Sequence, residues 1–275
     1  MIPAPFEYKR ADSVDEAIQA LSGEPDAKLL AGGHSLVPLM KLRLARPSLL
    51  VDISRLSDQK YIKEDGDAVA IGALTRHHDV ANSEVLQELC PIVSYAAGEI
   101  GDPQVRHVGT IGGSVAHADP ASDMPTVLVA LGAEMVVRGP GGIRNVAAGE
   151  FFKGLFEPDL ATDEVLTEIR VPKTAGRGWS YLKFHRRAQD WALVGVAALA
   201  QNGSGPAVAL TNMADRPVRA TGVEEELAGG ADPAAASQRA AEGTSPPTDA
   251  FASAGYRQEL VKVLVRRALE EAQSR

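Results

Sequence analysis

Leu30-Ala31-Gly32-Gly33-His34-Ser35-Leu36 and, further along, Thr110-Ile111-Gly112-Gly113-Ser114-Val115 decide how this chain is read. Each stretch joins a glycine pair to an apolar run and keeps a small hydroxyl residue near the turn. Without a Cβ, a glycine lets main-chain amides approach a ligand closely, and consecutive amides in such a turn form a nest for a phosphate oxyanion. Two such loops can hold the two phosphates of a dinucleotide from opposite sides; taken singly, each reads first as a tight turn. Neither is a Walker A loop, because no Gly-Lys-Ser/Thr follows at the right spacing. Neither is G-x-G-x-x-G, so a Rossmann site is not indicated. The glycines point to phosphate and do not say which cofactor carries it.

Working outward, residues 28–31 read as a short buried strand, and residues 36–42 as a helix that tolerates Pro38 in its first turn. Upstream, Ser13-x-x-Glu16 is a capping box, with Val14, Ala17, Ile18 and Leu21 following at helical spacing until Gly23. Residues 49–53 and 69–72 are strands, with a helix expected from Asp79. Asn82 or Ser83 opens another helix, which Pro91 interrupts and which ends at Gly101. Residues 108–116 read as strand-like with glycine punctuation, and Asp119-Pro120 as the cap and first residue of a helix reaching about Leu131. Residues 135–137 and 143–146 flank a glycine-rich turn and predict a hairpin, and 165–171 a strand ended by Pro172. Composition shifts around 174–178, which divides the chain into 1–175 and 176–275. Beyond it come strand-like runs at 179–185, 192–200 and 207–212, then an alanine-rich helical part. A final amphipathic helix has Tyr256, Leu260, Val263, Leu264 and Ala268 on one face. Strands and helices come in blocks, so the class is α+β.

Composition removes several functions. The 275 residues carry a net charge of −8, which disfavours nucleic acid and anionic membrane surfaces. The longest apolar stretch, 192–200, is too short to span a bilayer, and the N-terminus lacks the apolar core of a signal peptide. The cytoplasm is the expected compartment, with peripheral membrane association compatible with the sequence. The single cysteine, Cys90, rules out an intrachain disulfide, an iron–sulfur cluster and a four-cysteine zinc site, and it reads as a buried core thiol. His77-His78 would point to opposite faces of a strand, and His107, His117 and His185 lack ligand spacing, so no metal site is expected. Asp119 reads as a helix cap. Asp123 has two readings: an exposed first-turn acid favoured by the helix dipole, or an acceptor for sugar or ribityl hydroxyls.

Several segments together resemble the FAD-binding medium subunits of the xanthine dehydrogenase, or molybdenum hydroxylase, family, closest in flavour to those of carbon monoxide dehydrogenases. They are Lys28-Leu29-Leu30-Ala31-Gly32-Gly33-His34-Ser35-Leu36, Arg106-x-x-Gly109-Thr110-Ile111-Gly112-Gly113-Ser114 and Asp119-Pro120-x-x-Asp123. Phe151-Phe152-x-Gly154, Glu164-Val165-Leu166-x-x-Ile169-x-Val171-Pro172 and Arg186-Arg187-x-x-Asp190-Trp191-Ala192 follow in the same order, and the likeness ends in the 252–269 segment.

The resemblance implies a vanillyl-alcohol-oxidase (PCMH)-type FAD domain of two α+β subdomains with a small α+β C-terminal domain. It implies non-covalent FAD, with its pyrophosphate on the main chain of Gly32, Gly33, His34, Ser35 and Leu36 and of Thr110, Ile111, Gly112, Gly113 and Ser114. Asp123 would bind a sugar or ribityl group, Leu166 and Lys183 would contact the flavin, and Trp191 would lie beside its ring. His34 stands where glutamine is also common, and Trp191 is bulkier than usual. Arg186-Arg187 is either a solvated pair or a partner-steering one.

The resemblance also implies an electron-transfer subunit, with no catalytic residue of its own. It would pass electrons from a small iron–sulfur subunit through FAD to an external acceptor. The molybdenum cofactor would sit on a large subunit, and two heterotrimers would pair. The alternatives are a self-sufficient FAD-dependent oxidase, which would show titratable or aromatic residues clustered for a substrate, and an FAD-free assembly scaffold, which would be colourless.

Overall fold

Ser13 starts the first helix as its spacing predicts. Its Oγ accepts the Glu16 amide at 3.1 Å while the Glu16 carboxylate accepts the Asp12 amide at 3.0 Å, the reciprocal bonding of a capping box. The structure, a computed structural model, describes residues 1–201, 203 and 205–275. Its first part runs β1 (Glu7–Arg10), α1 (Val14–Gly23), β2 (Lys28–Leu30), α2 (Leu36–Lys41) and β3 (Leu49–Asp52). The strands form a parallel sheet in the order β1-β3-β2. Val14, Ala17, Ile18 and Leu21 of α1 pack onto Val51 and Ile53, in a core that also takes in Leu74 and Val165. The first glycine loop leaves β2 at the carboxyl edge of this sheet, the edge where open parallel sheets bind ligands.

The second part opens with β4 (Ile62–Asp65), β5 (Ala68–Gly72), α3 (His77–Ala81), α4 (Glu84–Leu89), α5 (Pro91–Gly98) and α6 (Pro103–Arg106). It continues through α7 (Ile111–His117), α8 (Asp123–Leu131), β6 (Glu134–Gly139), β7 (Gly142–Ala147), α9 (Ala148–Phe151), β8 (Phe152–Gly154), β9 (Glu157–Pro158) and β10 (Val165–Pro172). Its antiparallel sheet has the order β4-β5-β10-β6-β7, with the expected β6–β7 hairpin and a bulge between Leu166 and Glu168.

Three sequence readings need correction here. Residues 111–117 are helical rather than strand-like: Thr110, in extended conformation, caps the helix by accepting the Gly113 amide, and Ile111 and Val115 bury one turn apart. The next helix begins at Asp123 behind Ser122, while Asp119 accepts the Ala121 amide in a turn of its own. His77 and His78 open a short helix instead of lying on a strand. Cys90 caps the junction of α4 and α5, and it is fully buried as expected. Every residue of α8 is buried, the polar Asp123 and Thr126 together with the apolar remainder.

The third part runs β11 (Trp179–Phe184), β12 (Val194–Leu199), β13 (Ala207–Thr211), β14 (Val218–Arg219), α10 (Thr221–Ala228), α11 (Pro233–Ala236) and α12 (Ala254–Ser274). The strands form an antiparallel sheet in that order. Both faces are covered: Ala197, Leu199, Ala207 and Ala209 join the core that includes α8, and Val196, Ala198, Val208 and Leu210 join the core under α12. The period of two is that of a strand, yet both sets are apolar, which is why these runs read as continuous. On α12 the buried face is Arg257, Val261, Leu264, Val265, Ala268, Leu269 and Ala272. Leu264 and Ala268 lie on it as expected, whereas Tyr256 and Val263 are exposed. A buried arginine at the start of the stripe moved the apparent face by one residue.

Gly178 precedes β11 where a Cβ would run into the Ala272 carbonyl oxygen of α12 and lie 3.3 Å from the Ala200 Cβ. Gly178→Ala is therefore expected to destabilise the chain by about 1–3 kcal/mol, the usual cost of overpacking. Thermal unfolding against the wild type measures this.

Candidate functional site

The two glycine loops meet. A Cβ on Gly32 would run into the Val108 carbonyl oxygen and lie 2.8 Å from the Gly109 Cα, so the main chains touch where both lack side chains. Gly33 holds φ at +72°, a conformation that glycine adopts without strain. Among the described residues, none accepts a hydrogen bond from the amides of Gly32, Gly33, His34 or Ser35. These four residues are partly or fully exposed, so their amides are open to a ligand, and consecutive open amides at the carboxyl edge of a parallel sheet suit a phosphate.

The second loop is built differently. Its amides are engaged within the chain: Ile111 donates to the Thr75 carbonyl at 2.9 Å, Gly112 to that of Ala73 at 2.8 Å and Ser114 to that of Thr110 at 3.0 Å. The Gly113 amide goes to Thr110 Oγ1 at 3.2 Å. Gly112 is glycine for packing, since a Cβ there would lie 2.5 Å from the Ala73 Cβ. Gly113 faces solvent, and the Ser114 hydroxyl pairs with that of Ser122 at 2.8 Å. Ala73 in turn donates its amide to the Thr167 carbonyl, which follows Leu166 at the β10 bulge. Arg106, part of the family motif, donates to the Ile100 and Gly101 carbonyls and so shapes the bend ahead of the loop.

Behind the loop junction lies His77. A Cβ on Gly109 would be 3.1 Å from its ring, and its Nδ1 has no partner. Burial first, then the neighbouring His34 and Arg106, lower its pKa to about 4, so the His77 imidazole is neutral at pH 7.

Asp123 and Lys183 form the second focus. Lys183 Nζ donates to Asp123 Oδ2 at 3.0 Å and to the Glu99 carbonyl at 3.0 Å, while the Tyr181 hydroxyl donates to Asp123 Oδ1 at 2.6 Å. All three side chains are buried. Of the two readings of Asp123, the exposed helix-dipole acid is therefore corrected. Burial pushes the Asp123 carboxyl up from the ordinary carboxylate range; the Lys183 charge, then the bonds from Tyr181 and Lys183, pull it back. A cavity of about 140 Å³, lined by Glu99, Gly101, Lys183, Gln189 and others, adjoins this group.

The remaining candidates lie differently. Lys28 is exposed at the amino end of β2, and Trp191 is 57% exposed between β11 and β12. Neither joins the hydrogen bonds just described. The Trp191 segment is nevertheless fixed: Arg257, fully buried, donates to the Leu193 carbonyl and to Asp249, and Asn212 donates to the Ala192 carbonyl. Sequence reasoning missed Tyr181, although its period-two spacing from Lys183 puts both on one strand face. It also missed Ala73 and Thr75, for which no local signal exists.

Residues 4–174 match the family described as "FAD binding domain in molybdopterin dehydrogenase", and residues 179–272 match "CO dehydrogenase flavoprotein C-terminal domain". The chain belongs to this family of FAD-binding flavoprotein subunits of molybdenum-hydroxylase-type oxidoreductases. The carbon monoxide dehydrogenase medium chain of Hydrogenophaga pseudoflava is 42% identical, over 100% of this chain and 99% of that one. The glyceraldehyde dehydrogenase medium chain of Sulfolobus acidocaldarius is 40% identical, over 98% of this chain and 99% of that one. Among solved structures, the Hydrogenophaga pseudoflava carbon monoxide dehydrogenase lacking the Mo-pyranopterin moiety superposes with a TM-score of 0.95 at 43% identity, over 100% of this chain and 99% of that one. The α+β class and the PCMH-type fold expected from the sequence are those of the family. No helix among the described residues is long and apolar enough to cross a membrane.

Gly112→Ala is expected to destabilise the cofactor-free chain by about 1–3 kcal/mol, because the new methyl meets Ala73 main chain that cannot move freely. Denaturant unfolding of the cofactor-free protein reads this directly, without any contribution from ligand binding.

Proposed function

We propose that this chain holds one non-covalent FAD and relays electrons from an iron–sulfur partner to an external acceptor. The observation that carries the reading is the run of four open amides in the first loop, pressed against the second loop at the Gly32–Gly109 contact. FAD, when bound, would supply the chemistry, an exchange of electrons, while the chain positions it. The amides from Gly32 to Ser35, with Leu36 opening α2, bind the pyrophosphate, and the second loop contributes the open surface at Gly113 and the Ser114 hydroxyl. Asp123 would accept a hydroxyl of the cofactor's sugar or ribityl chain, Lys183 and Leu166 would contact the flavin, and Trp191 would lie beside its ring. Lys28, Leu30, Ala31, Gly109, Thr110, Ile111 and Gly112 shape the loops. A division near residue 175 separates the FAD domain from the C-terminal domain.

With one cysteine, and no group of three or more potential metal ligands among the described residues, this chain offers no site for an iron–sulfur cluster. The relatives are named as medium chains of dehydrogenases. Partners are accordingly a large molybdenum subunit and a small iron–sulfur subunit, with two heterotrimers pairing in the cytoplasm, free or at a membrane surface.

The purified chain is expected to be yellow, to release its flavin on acid precipitation and to accept electrons from a chemical reductant. Turnover of carbon monoxide, a purine, an aldehyde or an N-heterocycle should appear only on co-expression with both partners. Unaided turnover would identify a self-sufficient oxidase, and a chain that stays colourless after reconstitution would be a scaffold. Gly33→Val should abolish FAD binding while the chain stays folded, because the branched side chain opposes the positive φ and covers the amides. Flavin titration with a parallel thermal melt checks both halves.

A further inference from the structure

Asp123 sits on α8 of the FAD domain, yet its two strongest partners come from β11 of the C-terminal sheet. Tyr181 is only 2% exposed, and its hydroxyl bonds Asp123 Oδ1 at 2.6 Å, the short length of a charge-assisted bond. Lys183 takes the other oxygen. Each carboxylate oxygen retains a second lone pair, so the group can still accept a bond from a ligand hydroxyl.

We propose that Tyr181 is a positioning residue for the cofactor: its phenol holds the Asp123 carboxylate ionised and aimed, so that the C-terminal sheet sets the acceptor strength of a group in the FAD domain. This rests on the reading that Asp123 accepts a cofactor hydroxyl.

A buried carboxylate with one cationic neighbour is a strained balance. Desolvation favours the neutral acid, and the ammonium and phenol favour the ion. Around Asp123 the charged and titratable groups are Tyr181 and Lys183 on β11 and Glu99 after α5. His185 and Asp190 line the cavity that Lys183 also lines. Glu99 works against ionisation, so Lys183 alone must hold the ion once the phenol is gone. The sign follows. A depressing influence is lost in Tyr181→Phe, the Asp123 carboxyl titrates at higher pH, and the acceptor form is lost earlier as pH falls.

The test is FAD affinity of the cofactor-free full-length chain, followed as pH is lowered from neutrality, the direction in which a raised carboxyl is protonated. In Y181F the acid-side loss of affinity should begin about one pH unit higher than in wild type, the equivalent of a tenfold change in binding at fixed pH. D123N should bind FAD more weakly at neutral pH and lack that limb, and Y181F/D123N should follow D123N. A limb at the same pH in Y181F and wild type overturns the proposal, as does a double variant that departs from D123N as far as Y181F departs from wild type. Should Y181F not fold, wild type carrying 3-fluorotyrosine, a stronger donor, should move the limb to lower pH, with no effect in D123N; an unmoved limb again overturns it. If D123N binds FAD as tightly as wild type throughout, the role of Asp123 itself is what fails.

Discussion

Where Gly32 lies against the main chain of Val108 and Gly109 there is no space for a side chain on Gly32. That contact joins two structures with different origins. The first loop belongs to a small parallel sheet built before residue 53, and the second to a helical cluster hung from Ala73 and Thr75. The second loop is held because its amides are engaged, and the first is receptive because its amides have no acceptor among the described residues. A held wall behind a receptive loop is a sensible division of labour for a phosphate site: the donors are aimed before the ligand arrives, so less ordering accompanies binding. The supporting chain of bonds runs from Thr167 at the β10 bulge through Ala73 to Gly112, which makes the irregularity in the central sheet part of the same device.

The elements most legible in the sequence are those whose signals are local. Ser13 and Glu16 identify their helix, and the glycine-rich turn before Gly142 identifies its hairpin. The second glycine loop misleads because Ile111 and Val115 favour strand and the glycines between them favour neither form, so only Thr110 as a cap argues for helix. Asp119-Pro120 mimics a helix start, but the side chain of Asp119 bonds within its own turn and the helix waits for Asp123. The burial of Asp123 could not be read at all, since its partners lie 58 and 60 residues further on. Arg257 illustrates the same limit, for a charged residue on the core face of a helix becomes intelligible only once Leu193 and Asp249 are in view.

The C-terminal sheet is more than a neighbour of the FAD domain. Asn212, held at a positive φ of 60°, donates its amide to the Pro120 carbonyl and its side chain to the Ala192 carbonyl. It thereby ties the turn ahead of α8 to the segment that carries Trp191. Ala118 and Gln189 share the left-handed conformation on either side of that tie. Non-glycine residues keep such angles only where the surroundings dictate them, and these three fall around one region of the molecule. Thr211 reaches Thr126 in the middle of α8 through a buried hydroxyl pair at 2.8 Å, a further polar link across the same seam.

Cys90 is the only thiol in the chain, and it is enclosed at the junction of two helices, with burial pushing its pKa up to about 11. A thiol that is both hidden and protonated reacts slowly with alkylating reagents. The native surface is therefore silent toward maleimide chemistry, and a cysteine introduced at any exposed position would carry a dye or spin label alone. A pair of such labels, one near α2 and one near Trp191, would turn the seam between sheet and FAD domain into a measurable distance without removing any natural residue from the core.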